Sequence, residues 1–234
     1  MTPDALQHLT RQCRTMDRLI REHGACRLVP DPRRSPFESL VRAVAHQQLN
    51  GTAAETILGR FRALFSGRRF PHPADLAAIS DDALRAAGFS RAKIASLRDI
   101  AEKTLSGVIP TSRAIAEMTD EEIVARLTQV RGVGRWTVEM MLIFQLGRTD
   151  VWPVDDFGIR TGYRVAFGLP ALPSAKELLP LGERWRPHRT TAAWYLWRAA
   201  EAARKTAQNA ANATSQKNAT NQGGQSQRVR RPLA

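Results

Sequence analysis

Leu127-Thr-Gln-Val-Arg-Gly-Val-Gly-Arg-Trp-Thr137 sets two glycines around one apolar residue. Helix-forming runs lie on both sides of it. Thr119-Asp-Glu-Glu122 is a capping box that opens a helix to about Gln129. A second helix runs from about Arg135 to Leu146 and is closed by Gly147. Glycine accepts positive φ and lets another backbone come close. A helix starting at Gly134 directs its free N–H groups and positive dipole end outward. Such an end binds phosphate without sequence-specific side chains. Gly-x-Gly also makes plain tight turns between antiparallel helices. Leu127 and Val130 before the turn, Val133 inside it and Thr137 after it make the pattern more specific than its glycines.

Outward from the hairpin the chain reads as helix after helix. Leu6 to Arg21 has apolar spacing on one face, and Ser35-Pro36-Phe37-Glu38 is a capping box with proline at the first helical position. That helix predicts an inward stripe of Phe37, Leu40, Val41, Val44 and Gln48. Thr52 to Glu55 predicts another box, leading to Ile57, Leu58, Phe61 and Phe65. Ser80 and Ser90 start two more helices, with Gly88 and Gly107 as their stops. Ser174 to Glu177 caps a short segment, and Pro187 precedes a last helix through Trp194 and Trp197 to Ala203. No stretch alternates as a strand with hairpin turns, so the fold class is all-α. From about Thr206, Gln, Asn, Ala, Thr, Ser and Gly dominate before Arg228, Arg230 and Arg231. That composition predicts a disordered basic tail over 207–234.

Composition narrows the function. The chain has 234 residues and a formal net charge of +13, which suits a polyanionic partner. The excess is almost all arginine, a bias that genome composition also produces. No apolar run spans a membrane, and no secretory pattern is visible, so the expected location is the cytoplasm. Two cysteines, Cys13 and Cys26, are too few for a disulfide framework or an iron–sulfur quartet. Cys13, spaced with Leu9 and Met16, reads as a small core residue. The five histidines show no metal-ligand spacing.

Beyond the hairpin comes Asp150-Val-Trp-Pro-Val-Asp-Asp-Phe-Gly-Ile-Arg160. Both aspartates stand where a helix begins, and N-capping accounts for Asp155. Together the hairpin and this segment resemble the helix-hairpin-helix base-excision DNA glycosylases, in which a glycine-rich hairpin precedes an aspartate. The resemblance is closer to the 3-methyladenine DNA glycosylase II family. Asp156, Phe157, Ile159 and Arg160 fit its pattern, as does Glu183-Arg-Trp-Arg-Pro-His-Arg189 continuing to Trp197. It covers roughly residues 35 to 204.

The resemblance implies a monofunctional enzyme that flips an alkylated purine from duplex DNA and hydrolyses its N-glycosidic bond. Asp156 would be the catalytic anion, because cleavage builds positive charge on the sugar. Trp136 and Trp197, with Asp155 beside them, would form the base pocket, where a cationic base gains from aromatic faces. Gly132, Val133, Gly134, Arg135 and Thr137 would meet the DNA backbone. Gln47, Gln48 and Leu49, in His46-Gln-Gln-Leu-Asn50, would be the wedge that fills the emptied stack. A sodium ion would bridge the carbonyls of Thr128, Val130 and Val133 to phosphate; no other cofactor is implied. Bifunctional relatives carry a hairpin-helix lysine as Schiff-base nucleophile. Here Arg135 and Trp136 follow Gly134, and arginine does not deprotonate to attack.

The implied architecture is two helical subdomains with the active cleft between them. Residues 1–34 would pack with the C-terminal helices, 35–147 form the central bundle, and 148–206 carry the catalytic aspartate. The implied partner is double-stranded DNA with alkylated bases, bound by a monomer at the nucleoid. Two alternatives stay open: a non-catalytic helix-hairpin-helix DNA-binding module, and a glycosylase for uracil or an oxidised purine.

Overall fold

A computed structural model describes residues 3–65 and 67–226. Among these the chain is all-α, with no strand. The helices are α1 (Pro3–Gln12), α2 (Arg14–His23), α3 (Pro36–His46), α4 (Gly51–Ala63), α5 (Pro73–Ala78), α6 (Asp81–Ala87), α7 (Arg91–Leu105), α8 (Ser112–Ala116), α9 (Asp120–Leu127), α10 (Arg135–Phe144), α11 (Phe157–Phe167), α12 (Ala175–Leu181) and α13 (Arg189–Ser226). A 3-10 turn, Glu183–Trp185, joins the last two. The chain divides into two compact units: Leu28–Val151, and the chain up to Arg27 together with that from Trp152 onward.

Most helix starts follow the sequence chemistry. Ser35, Ser80, Ser90, Thr119 and Ser174 each accept a backbone N–H from three residues on. Those bonds satisfy donors that a helix start otherwise leaves open. Thr119 with Glu122 and Ser174 with Glu177 close reciprocal boxes. The second expected box is displaced. Asn50, not Thr52, caps α4 by accepting from the Ala53 N–H at 2.8 Å. Glu55 is engaged instead by His46 at 3.1 Å and Arg42 at 3.5 Å. Two short helices lay outside the sequence reading. α5 starts with a His72–Asp75 box around Pro73, and α8 is capped by Thr111.

Three further expectations are corrected. The helix expected over Leu6 to Arg21 breaks at Cys13, which is extended with φ −158°. The break sends Leu9 and Met16, both fully buried, into one core cluster with Cys13. Residues 28–34 belong to the central unit rather than to the N-terminal helices. Asp31 N–H donates to the Phe144 carbonyl at 2.9 Å, and Gln145 Nε2 donates to the Arg34 carbonyl at 2.7 Å. The last helix does not stop near 206 but continues to Ser226. Alanine, glutamine and lysine favour a helix once the packed first turns have nucleated it. The remainder of the expected tail, 227–234 with its arginines, lies outside the described residues.

In the unit of the two termini, α11 packs on α13. A Cβ on Gly162 would stand 1.9 Å from the Leu196 carbonyl oxygen, so only glycine permits this backbone approach. Trp185 is fully buried beneath it, edge-on to Trp152 at 5.2 Å. The central unit buries Leu40, Leu58, Phe61, Leu97, Leu127 and Val138 completely. Each such side chain stabilises by roughly 1.5–3 kcal/mol relative to exposure. That packing fixes α7, α9 and α10 around the hairpin.

Candidate catalytic carboxylate and nucleic-acid interface

Asp156 is the N-cap of α11, with φ −69° and ψ 120°. Its Oδ1 accepts from the Ile159 N–H at 2.8 Å and from Trp197 Nε1–H at 2.8 Å. Two donors on one carboxylate oxygen, one on each of two packed helices, fix the group in direction as well as place. Gly158 makes this possible. A Cβ there would lie 2.9 Å from Trp197 Cδ1 and 3.0 Å from Asp156 Oδ1. Gly158 and Gly162, four residues apart on one helix face, therefore let α13 lie against α11 and bring Trp197 over its first turn. Trp197, expected as a stacking surface, thus also orients the carboxylate.

The capping role assigned to Asp155 belongs to Asp156. A capping oxygen must reach an N–H two or three residues on, and Asp156 reaches Ile159. Asp155 is exposed, immediately before the cap. Phe157, the next residue, is 70% exposed. It lines a groove of about 600 Å³ along α11 and α13 with Gly158, Thr161, Val165 and Trp197.

In the central unit the hairpin joins α9 to α10. Its glycines differ. Gly132 has φ +76°, and a Cβ there would meet Ser96 Oγ at 2.5 Å. Gly134 has φ −92°, and a Cβ there would meet nothing within 4 Å. Gly132 is required by the chain's own packing; among the described residues nothing requires Gly134. Val130 and Val133 are buried and anchor the turn. Gly134 and Arg135 are exposed, and Trp136 is 45% exposed. The Thr137 side chain is buried and packs α10 on the core.

A brace from α7 holds this turn, and the sequence reading missed it. Asp99 Oδ2 accepts from the Arg131 N–H at 2.6 Å, while Lys103 Nζ bonds Asp99 and donates to the Gln129 carbonyl at 2.6 Å. Burial pushes the Asp99 carboxyl up, but the Arg131 N–H and the Lys103 ammonium together outweigh it and hold the group below the ordinary carboxylate range.

The expected wedge divides. Gln47 ends α3, and its Nε2 donates to the Gly132 carbonyl at 2.8 Å, so it ties the two loops together instead of projecting. Gln48 and Leu49 are exposed at the tip. The expectation that Gln48 continues the buried stripe of α3 is corrected, because the helix ends at His46. Gln48 has φ +58°, the only positive value on a non-glycine residue among those described. The structure thus joins Asp156 to Trp197 in one unit and Gln47 to Gly132 in the other, where Trp136 also lies.

Among the described residues no group of histidine, cysteine, aspartate and glutamate could hold a metal ion, and no helix is long and apolar enough to cross a membrane. Residues 41–187 match the family described as HhH-GPD superfamily base excision DNA repair protein. The chain is 47% identical over 171 residues to DNA-3-methyladenine glycosylase 1 of Schizosaccharomyces pombe, covering 73% of this chain and 75% of that one. It is also similar to the solved structure of the S. pombe 3-methyladenine DNA glycosylase Mag1 in complex with abasic DNA. The TM-score is 0.75 at 43% identity, over 83% of this chain and 95% of that one. A Bacillus halodurans DNA-3-methyladenine glycosidase structure superposes with TM-score 0.76 at 34% identity, over 85% and 89% of the two chains. The chain belongs to the HhH-GPD superfamily of base excision DNA repair proteins, on its 3-methyladenine DNA glycosylase branch.

Proposed function

We propose that the chain excises alkylated purines of the 3-methyladenine type from double-stranded DNA by hydrolysis, leaving an abasic site and an uncut strand. The carrying observation is the doubly held Oδ1 of Asp156, bonded by Ile159 N–H and Trp197 Nε1–H. As the bond from sugar to base breaks, its electron pair leaves with the purine and positive charge grows on the sugar. A carboxylate already fixed beside it stabilises that charge without reorganising. An alkylated purine carries positive charge before cleavage, so it leaves without a strong general acid. Water then completes the bond to the sugar carbon. The helix Arg135–Phe144 contains no lysine, which supports water rather than an amine as nucleophile.

Duplex DNA would meet the exposed start of α10 through backbone N–H groups. The carbonyls of Thr128, Val130 and Val133 would hold a sodium ion there. Neutral carbonyl oxygens suit such a hard cation, and Val130 spends one of its two lone pairs on the Val133 N–H at 3.0 Å. The ion would supply a fixed positive charge for a phosphate. The chain is proposed to act as a monomer. A non-catalytic DNA-binding module has no need of Gly158, Trp197 and Asp156 in this arrangement.

The test is incubation with methylated DNA, with identification of the released bases and borohydride trapping in parallel. Free 3-methyladenine with no trapped adduct is expected. Absence of any released base would reject the glycosylase reading, and a robust adduct the monofunctional one.

A further inference from the structure

Lys93 stands in the first turn of α7, where its own N–H donates to the Ser90 cap at 3.3 Å. A cation there is unfavourable to its own helix, whose N-terminal end is the positive one. The reason lies in α3. Lys93 Nζ donates to the Ala45 carbonyl and to the Gln47 carbonyl, each at 2.9 Å. Those are carbonyls at the C-terminal end of α3, where a helix leaves acceptors unmet and favours positive charge. Burial lowers the pKa of the lysine, a sign that the ammonium is drawn in from solvent. Directly after its second acceptor comes Gln48, at φ +58°, a conformation that costs a non-glycine residue energy and persists where its surroundings enforce it. Gln47 is tied sideways to Gly132, so the turn is held from beneath and from one side.

We propose that Lys93 is a positioning residue for the wedge, holding the turn after α3 so that Gln48 and Leu49 stand out ready to enter the base stack. This rests on the glycosylase reading, in which an extruded base leaves a gap to be filled. Lys93 touches neither base nor sugar; it acts through the two carbonyls. Without its ammonium the turn relaxes, Gln48 leaves positive φ, and the wedge tip no longer stands where it is needed. Misplacing a positioned group by about 1 Å costs up to ~10²-fold in rate.

The experiment compares K93M with the parent protein and with K93R, which keeps charge and donors. One probe is a duplex holding a tetrahydrofuran abasic analogue beside 2-aminopurine, whose fluorescence rises when the wedge opens the stack. The other is single-turnover base release from methylated DNA at saturating protein. K93M should lose most of the fluorescence rise and slow release at least ~10-fold. Its affinity for undamaged duplex and its melting temperature should stay near the parent's, and K93R should restore both signals. Parent-like fluorescence and release in K93M overturn the proposal, as does a loss that K93R leaves uncorrected or that affinity for undamaged duplex shares equally. Should K93M fail to fold, K93Q, with one polar donor group retained, is expected to show an intermediate loss. If the parent itself releases no base, the glycosylase reading falls, while the fluorescence comparison still judges Lys93.

Discussion

Two helix N-termini in this molecule are built from the same backbone and finished in opposite ways. α11 begins at Asp156, whose carboxylate accepts from its own first turn at 2.8 Å. α10 begins at Gly134, which has no side chain to offer. Any helix start presents unmet N–H groups and positive potential, and each attracts an anion. At α11 the chain supplies the anion and holds it with Trp197 as well. At α10 nothing among the described residues explains the glycine: its φ suits any residue, and a Cβ would meet no described atom within 4 Å. An N-cap that could have been serine at no steric cost, but is bare, leaves room for an anion brought by a partner. One end is a catalytic fixture under this account, the other a docking point.

The strongest way to break the contrast is at Asp156. Asparagine caps nearly as well and can still accept from Ile159 and Trp197, so D156N removes charge alone. The expected loss is ~10²-fold or more in single-turnover base release, on the order of 3 kcal/mol, with DNA affinity kept or raised. A near-parental rate would mean that the fixed anion is structural. Trp197→Phe keeps an aromatic ring over Gly158 but deletes the second donor. Release should slow about 10-fold, in line with one lost bond to a charged group, with the melting temperature little changed. An unaltered rate would leave Ile159 as sufficient positioning.

At the bare end, G134D introduces a cap and a negative charge together. The melting temperature should hold or rise slightly, since aspartate at an N-cap is better than glycine by roughly a few tenths of a kcal/mol. Affinity for every duplex should fall by about 10-fold, with a shallower dependence on salt as a phosphate contact is lost. Equal affinity in the folded variant would remove the hairpin from the interface. The smallest effect belongs to the exposed Asp155. D155N should change stability by less than about 0.5 kcal/mol and rate by less than ~2-fold; a dead D155N would shift the catalytic role to that residue.

The sequence made the hairpin and the helix starts legible because both depend on local chemistry: a cap and its acceptor lie three residues apart. Asp156 stands out in the sequence through its fit to the family pattern, whereas local cap chemistry points to Asp155; only the structure, in which Asp156 reaches Ile159, separates the two. Contacts distant in sequence were hidden. Asp99 and Lys103 look like an ordinary i,i+4 pair on a solvated face, and only the fold sets Arg131 and Gln129 against them. Gly158 and Gly162 carried a usable signal, since two glycines four apart in a helix predict close approach of another backbone. The break at Cys13 carried none, because the apolar spacing runs straight across it. The extension of α13 is hidden in the sequence because low apolar content masks the helix propensity of alanine, glutamine and lysine.

The most direct test sets the two helix ends against each other in one assay. Single-turnover release of bases from methylated DNA is followed across a range of protein concentrations for the parent, D156N and G134D. The account predicts that D156N lowers the plateau rate and leaves the half-saturating concentration unchanged or lower. G134D should raise the half-saturating concentration and leave the plateau intact. A parental plateau in D156N, or two variants that alter the same parameter in the same direction, would contradict it.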